Sequence, residues 1–244
     1  QEVFATTGKI YEASASKMFH VPIEEVTKGS TLRQKGKVAE LALGYQGGVG
    51  ALKQMGADKM GLVDDELTDI VTKWRKASPK IVQFWWDVEA AAKEAIGKRT
   101  TVQYRHGIAF QFEAGMLFIR LPSGRRIAYA KPRLEDNSMG RTSITYLGVN
   151  QNNKSWCRLE TYGGKLVENI VQATARDCLA EAMLKLDAAG YKILMHVHDE
   201  VIIEAEPVAG ELERVIKIMS ENVSWNRGLK LDADGYTTPY YRKD

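Results

Sequence analysis

The chain has 244 residues, of which 44% are hydrophobic and 27% charged, with a net charge of +3. That balance belongs to a folded domain and excludes a disordered or fibrous chain. No apolar run approaches the roughly 20 residues that span a bilayer, so neither a membrane helix nor a secretory leader is expected. Cys157 and Cys178 have no metal-type spacing, and two cysteines in this length point to a reduced, intracellular setting. The chain opens on Gln1 and not on methionine, so an excised piece of a longer protein is expected.

The first 60 residues read as helices broken by "VPIEEV". The clearest segment is "STLRQKGKVAELALGYQGG", with Ser30 or Thr31 to cap its start and Gly47 and Gly48 to stop it. A helical pair follows. Leu67, Ile70, Val71 and Trp74 fall on one face of its first member, and Ser78-Pro79 opens the second. Phe84, Trp85 and Val88 are expected in the core, with "FWW" serving packing.

From residue 100 to 159 the apolar period shifts towards two. "GIAFQFEAGMLFIRLPSGRRIAYA" alternates and turns at Glu113-Ala114-Gly115 and at Pro122-Ser123-Gly124, as a β-meander does. A further hairpin is expected around residues 150–153. Residues 98–133 carry eight lysines and arginines against the single acid Glu113, a net +7. This fits either a polyanionic partner such as nucleic acid or a well-solvated β surface.

A long helix is predicted over residues 165–189, with Gly190 to end it. The hairpin "KILMHVHDEVIIEAE" follows, then a helix over 209–223 and an irregular tail. Helix and strand mix without a βαβ rhythm, so the class is α+β with an antiparallel sheet. The expected divisions are a helical region over 1–97, a basic β-rich insertion over 98–160 and a C-terminal region over 161–244.

Three groups of residues can carry chemistry. Asp199 and Glu200, beside His198, sit at the tip of the apolar hairpin. Two carboxylates about 4 Å apart repel by roughly 4 kcal/mol at an effective dielectric of 20. Mg²⁺ or Mn²⁺ would relieve that through hard oxygen ligands, and splayed, solvated side chains would relieve it as well.

Arg33, Lys37, Leu41 and Tyr45 recur at intervals of four and cover roughly 18 Å of helix. A stripe that is cationic at one end and phenolic at the other matches an extended nucleoside triphosphate. It also matches an amphipathic helix whose Val38, Leu41, Ala42 and Tyr45 are core. Asn169, Gln172 and Arg176 share a face of the long helix, opposite Val167, Ile170, Val171, Thr174 and Cys178. They could reach a nucleic-acid duplex or form a polar surface stripe.

The order of an "R-x3-K-x7-Y" helix, a "Q-A-T-A-R-D" helix and "H-V-H-D-E" in an apolar hairpin resembles family A DNA polymerases, closest to the phage and prophage branch. The likeness runs through "TYGGKLVENIVQATARD" to the terminal "LKLDADGYTTPYYRKD". It implies the fingers and partial palm of a right-hand polymerase, with a β-meander insertion.

By this resemblance Asp199 is a metal ligand, Glu200 a supporting carboxylate and His198 a neighbour of the primer terminus. Arg33 and Lys37 grip the incoming dNTP, and Lys37 protonates the leaving pyrophosphate. Tyr45 borders the template-base pocket, Gln172 touches the primer–template DNA, and two Mg²⁺ or Mn²⁺ ions serve the complete enzyme. The second metal-bridging aspartate (on the strand called motif A) and the thumb belong to an upstream part, so the chain alone is expected to be inactive. The cell compartment implied is the cytoplasm of a bacterium or a phage-infected cell.

Three positions depart from the family pattern. Leu41 replaces an aromatic residue, Gln46 replaces a glycine, and Tyr11 replaces a triphosphate-binding histidine. Arg125 and Arg126 are expected to hold the DNA backbone alongside Asn169 and Arg176. Two other classes compete: a metal hydrolase using the "HVH" pair, for which the 46 residues after His198 are too few to complete a barrel, and a DNA-binding module that keeps the fold without the reaction.

Overall fold

A computed structural model describes residues 2–137, 140–206 and 208–242. The last two residues of the predicted irregular tail lie outside the described residues. The chain forms two compact units. The larger comprises residues 2–121 and 125–170, and the smaller residues 122–124 and 171–242.

The larger unit begins with helices α1 (Glu2–Thr6), α2 (Ile10–Phe19), α3 (Thr31–Leu43) and α4 (Val49–Gln54), followed by α5 (Asp64–Ala77) and α6 (Pro79–Lys98). "VPIEEV" breaks α2 from α3 as expected, through a single 3-10 turn at Ile23–Glu25. Leu67, Ile70 and Trp74 of α5 are buried, and Pro79 occupies the first turn of α6, where its missing N–H costs nothing. Trp85 and Val88 are core, whereas Trp86 is 53% exposed. "FWW" is therefore only partly packing, because a helix cannot turn adjacent side chains to the same face.

The Trp74 and Trp85 rings stack with centroids 5.9 Å apart. Each indole N–H is satisfied on or just after α3, by Glu40 Oε1 at 3.1 Å and by the Gly44 carbonyl at 3.0 Å. Buried indoles need such partners, so this pair ties α5 and α6 to the end of α3.

Helices α2 and α3 cross closely. A Cβ at Gly36 would lie 2.3 Å from the Tyr11 carbonyl oxygen, a distance only glycine avoids. The contact brings the Glu12 carboxylate onto Arg33, with Nε to Oε1 at 2.5 Å.

The expected β-meander is a six-stranded antiparallel sheet in sequential order: β1 (Thr101–Gln103), β2 (Ala109–Glu113), β3 (Met116–Arg120), β4 (Arg126–Asp136), β5 (Thr142–Val149) and β6 (Trp156–Thr161). Ala114 and Gly115 both take positive φ in the β2–β3 turn, the geometry of a tight two-residue hairpin. Pro132 interrupts β4 where its pairing with β5 shifts register between Ala130 and Arg133, the place where a sheet tolerates proline. Strands β1 to β4 lie against α6, with Phe110, Leu117, Ile119 and Tyr129 buried.

Helix α7 (Gly163–Ala188) starts in the larger unit and continues into the smaller. Gly190, at φ 88°, follows its end. The smaller unit then holds the hairpin β7 (Lys192–Val197) and β8 (Glu200–Glu204), followed by α8 (Glu211–Met219). The last helix is shorter at both ends than the predicted 209–223. The mixture of helices and antiparallel sheets is the α+β class expected.

Two outcomes follow from the α2–α3 crossing. Gly36→Ala should destabilise the fold by about 1–3 kcal/mol through overpacking against backbone, measured by denaturant unfolding. Separately, the hydrogen bond and charge of Arg33 hold the Glu12 carboxyl below its ordinary range. A lowered pKa stabilises the fold above the ordinary carboxylate range, and that stability is lost as pH falls through the lowered value. Glu12→Gln should therefore be less stable than the parent at pH 7, with the gap closing below about pH 4.

Candidate active site

Ser30, and not Thr31, starts α3, accepting the Arg33 N–H on its hydroxyl at 3.2 Å. The helix then carries Arg33, Lys37 and Leu41 four residues apart, where side chains stack along one stripe. Gly36, Val38, Ala39, Ala42 and Leu43 are buried, but Leu41 is 48% exposed. The reading of Leu41 as core therefore fails, because Val38, Ala39 and Ala42 supply the packed face. What remains accessible is a stripe of two cations and a leucine.

The structure brings Tyr11 to this stripe, its ring centroid 5.5 Å from the Arg33 guanidinium carbon. Lys37 is half-buried and forms no ion pair among the described residues.

The helix ends at Leu43, four residues before Gly47, the predicted stop. Gln46 leaves it at φ 69°, and its side-chain oxygen accepts the Gly164 N–H at the start of α7, at 2.8 Å. A Cβ on Gly164 would approach the Tyr45 carbonyl oxygen to 2.3 Å. Glu89 accepts the neighbouring Gly163 N–H at 2.9 Å. Two of the orphan donors of α7 are thus satisfied, one of them by the residue that departs from the family's glycine. Tyr45 lies just beyond α3 and is half-buried, and desolvation, with the charge of Glu168, raises its phenol pKa.

On α7, Val167 and Ile170 are buried as expected, while Val171 is 43% exposed and departs from the predicted apolar face. Asn169 donates to the Tyr129 hydroxyl at 2.7 Å, and burial pushes that phenol up to about 12. Asn169 is thereby engaged with the sheet. Gln172 and Arg176 are exposed in the smaller unit. The two terminal nitrogens of Arg176 lie 3.3 and 3.1 Å from the ring nitrogens of His196 on β7. In the basic stretch, Arg125 is exposed, while Arg126 pairs with Glu113 at 2.8 Å and covers the Phe118 ring.

The hairpin corrects one detail of the sequence reading. Val197 pairs with Glu200, so the two turn residues are His198 and Asp199, and Glu200 opens β8. His198 takes the left-handed φ of 53°, a conformation in which histidine is enriched. Asp199 is exposed and Glu200 half-exposed. Neither carboxylate has a hydrogen bond or ion pair among the described residues. No residue of β7 or β8 is buried.

Among the described residues no cluster of three histidines, cysteines or acids could hold a metal ion. Mg²⁺ takes six oxygen ligands and commonly only one or two protein carboxylates. The unpaired Asp199 and Glu200 therefore fit as part of such a set.

Sequence reasoning did not anticipate Glu12, Glu89 or the pairing of His196 with Arg176, nor the capping role of Gln46. Glu12 and Arg33 are 21 residues apart, and Gln46 and Gly164 are 118 apart. Only Gln46 left a trace, as a side chain where glycine was expected.

The family model described as DNA polymerase family A matches residues 1–235. A DNA polymerase of Bacillus phage SP02 is 61% identical over all 244 residues, and the chain spans 38% of that protein's length. Among solved structures, the POL domain of Pol1 from M. smegmatis, in complex with DNA primer-template and dNTP, superposes with a TM-score of 0.58 at 22% identity. That match covers 90% of this chain and 32% of the other and shows a shared fold. Among the described residues no helix is long and apolar enough to cross a membrane. With the family model covering nearly its whole length, the chain belongs to DNA polymerase family A.

Proposed function

We propose that this chain supplies the nucleotide-binding helix and the catalytic hairpin for template-directed DNA synthesis. The observation that carries the reading is the accessible Arg33–Lys37–Leu41 stripe on a helix that buries Gly36, Val38, Ala39, Ala42 and Leu43. Arg33 offers fork-shaped donors and Lys37 a point charge to an incoming triphosphate. Lys37 also has the chemistry to protonate pyrophosphate as it leaves. Tyr11 can donate a hydrogen bond to a phosphate but brings no positive charge. Leu41 offers apolar contact without a stacking ring, and Tyr45 borders the base.

Asp199 and Glu200 would hold divalent metal, Mg²⁺ or Mn²⁺, through hard oxygen ligands. Such ions supply activation of the primer 3′-hydroxyl and neutralise charge on the leaving group. His198 shares the hairpin turn with Asp199 and would lie by the primer end. Gln172 and Arg176, with Arg125 and Arg126, would contact the primer–template, while Asn169 serves mainly to anchor Tyr129.

The second metal-bridging aspartate and the thumb would come from an upstream part of the same polymerase. Two observations support this: the chain spans 38% of the phage relative's length, and its two-stranded apolar hairpin buries none of its residues. Such a hairpin is marginal alone and needs further strands or a covering layer.

In the polymerase that carries this chain, Asp199→Asn should lower primer extension by orders of magnitude while leaving DNA affinity nearly unchanged. Retained extension would reject the assignment. Replacing Arg125 and Arg126 together with alanine should flatten the slope of log affinity for primer–template against log salt by about 1–2 units. An unchanged slope would return those arginines to solvated surface.

A further inference from the structure

We propose that Glu12 is a positioning residue for the incoming triphosphate, acting through Arg33; this rests on the reading of Arg33 as a phosphate ligand. The Glu12 carboxylate meets the guanidinium at Nε, 2.5 Å away, which leaves the two terminal nitrogens without a hydrogen-bond partner among the described residues. A guanidinium held by one edge still presents a fork to phosphate oxygens. The Glu12 side chain is only 11% exposed and that of Arg33 26%, so the pair is fixed within the fold and not loosely paired on its surface.

Three features hold the geometry. Tyr11, adjacent to Glu12, places its ring 5.5 Å from the Arg33 guanidinium carbon. Gly36 admits the α2 backbone so closely that a Cβ would meet the Tyr11 carbonyl oxygen at 2.3 Å, so the stretch carrying Tyr11 and Glu12 has no room to shift towards α3. Ser30 pins the backbone N–H of Arg33 at 3.2 Å.

A free arginine would lose its rotamer freedom when the nucleotide arrives, weakening binding. Here that ordering is completed by folding. The same carboxylate also cancels positive charge beside the phosphates. Positioning and competition are therefore distinct, and they act on nucleotide affinity with opposite sign.

The test is single-nucleotide incorporation by the whole polymerase carrying Glu12→Ala, Glu12→Gln, Arg33→Ala or the double Glu12→Ala/Arg33→Ala change. Glu12→Ala should raise KM for dNTP about three- to tenfold with kcat within about twofold, a split that a general loss of folding would not produce. Glu12→Gln, which keeps an acceptor without the charge, should give a smaller rise and carries the test if the alanine variant fails to fold. Arg33→Ala should raise KM further, and the double variant should be no worse than Arg33→Ala alone, because Glu12 has nothing left to position.

A KM that is unchanged or lower in both Glu12 variants, with Arg33→Ala still raising it, would overturn the positioning role while sparing the reading of Arg33. An unchanged KM in Arg33→Ala would remove that reading, and this proposal with it.

Discussion

The absence of a side chain at residue 36 is the constraint on which the Arg33–Lys37–Leu41 stripe depends. Because a hydrogen atom stands where a Cβ would meet the Tyr11 carbonyl, α2 and α3 approach to backbone contact. Tyr11 and Glu12 are then carried onto Arg33. The far end of α3 is held by other means: the stacked tryptophans bond Glu40 and Gly44, and Gln46 bonds Gly164. A helix fixed at both ends and packed along Val38, Ala39 and Ala42 can expose Arg33, Lys37 and Leu41 in a set register. The cost is a non-glycine residue at positive φ at Gln46, a strained conformation offset by the cap it supplies to α7.

The elements legible in the sequence were those with local causes. Periodicity identified α5, α6 and the β-meander, Ser78-Pro79 and Gly190 marked boundaries, and the alternation around Ala114-Gly115 located a turn. What periodicity could not reveal were contacts made across the chain. The end of α3 was misjudged because Gln46 answers to Gly164, 118 residues away. Leu41 could be read as core because its residue type is apolar, yet the smaller Val38, Ala39 and Ala42 are the buried residues and Leu41 stays outside. The hairpin turn was displaced by one residue because histidine tolerates the left-handed backbone that was sought in other residue types.

For the candidate site, the identities of Arg33, Lys37, Asp199 and Glu200 could be proposed from motif order. The supporting residues could not. Glu12 neighbours Arg33 only through the α2–α3 crossing, and His196 meets Arg176 only because β7 returns beside α7 within the smaller unit. Such partners have no spacing signature. They matter because a long cationic side chain finds its working geometry only when something holds it.

Under the proposed function, the hairpin carboxylates and the α3 stripe serve one reaction that further chain must complete. The most direct measurement is primer extension on a short primer–template with dNTPs and Mg²⁺, by this chain alone and then joined to the upstream segment of its polymerase. Extension is expected only in the joined form, where a second aspartate would meet Asp199. Robust extension by the chain alone would contradict it, as would intact DNA binding without extension in either form.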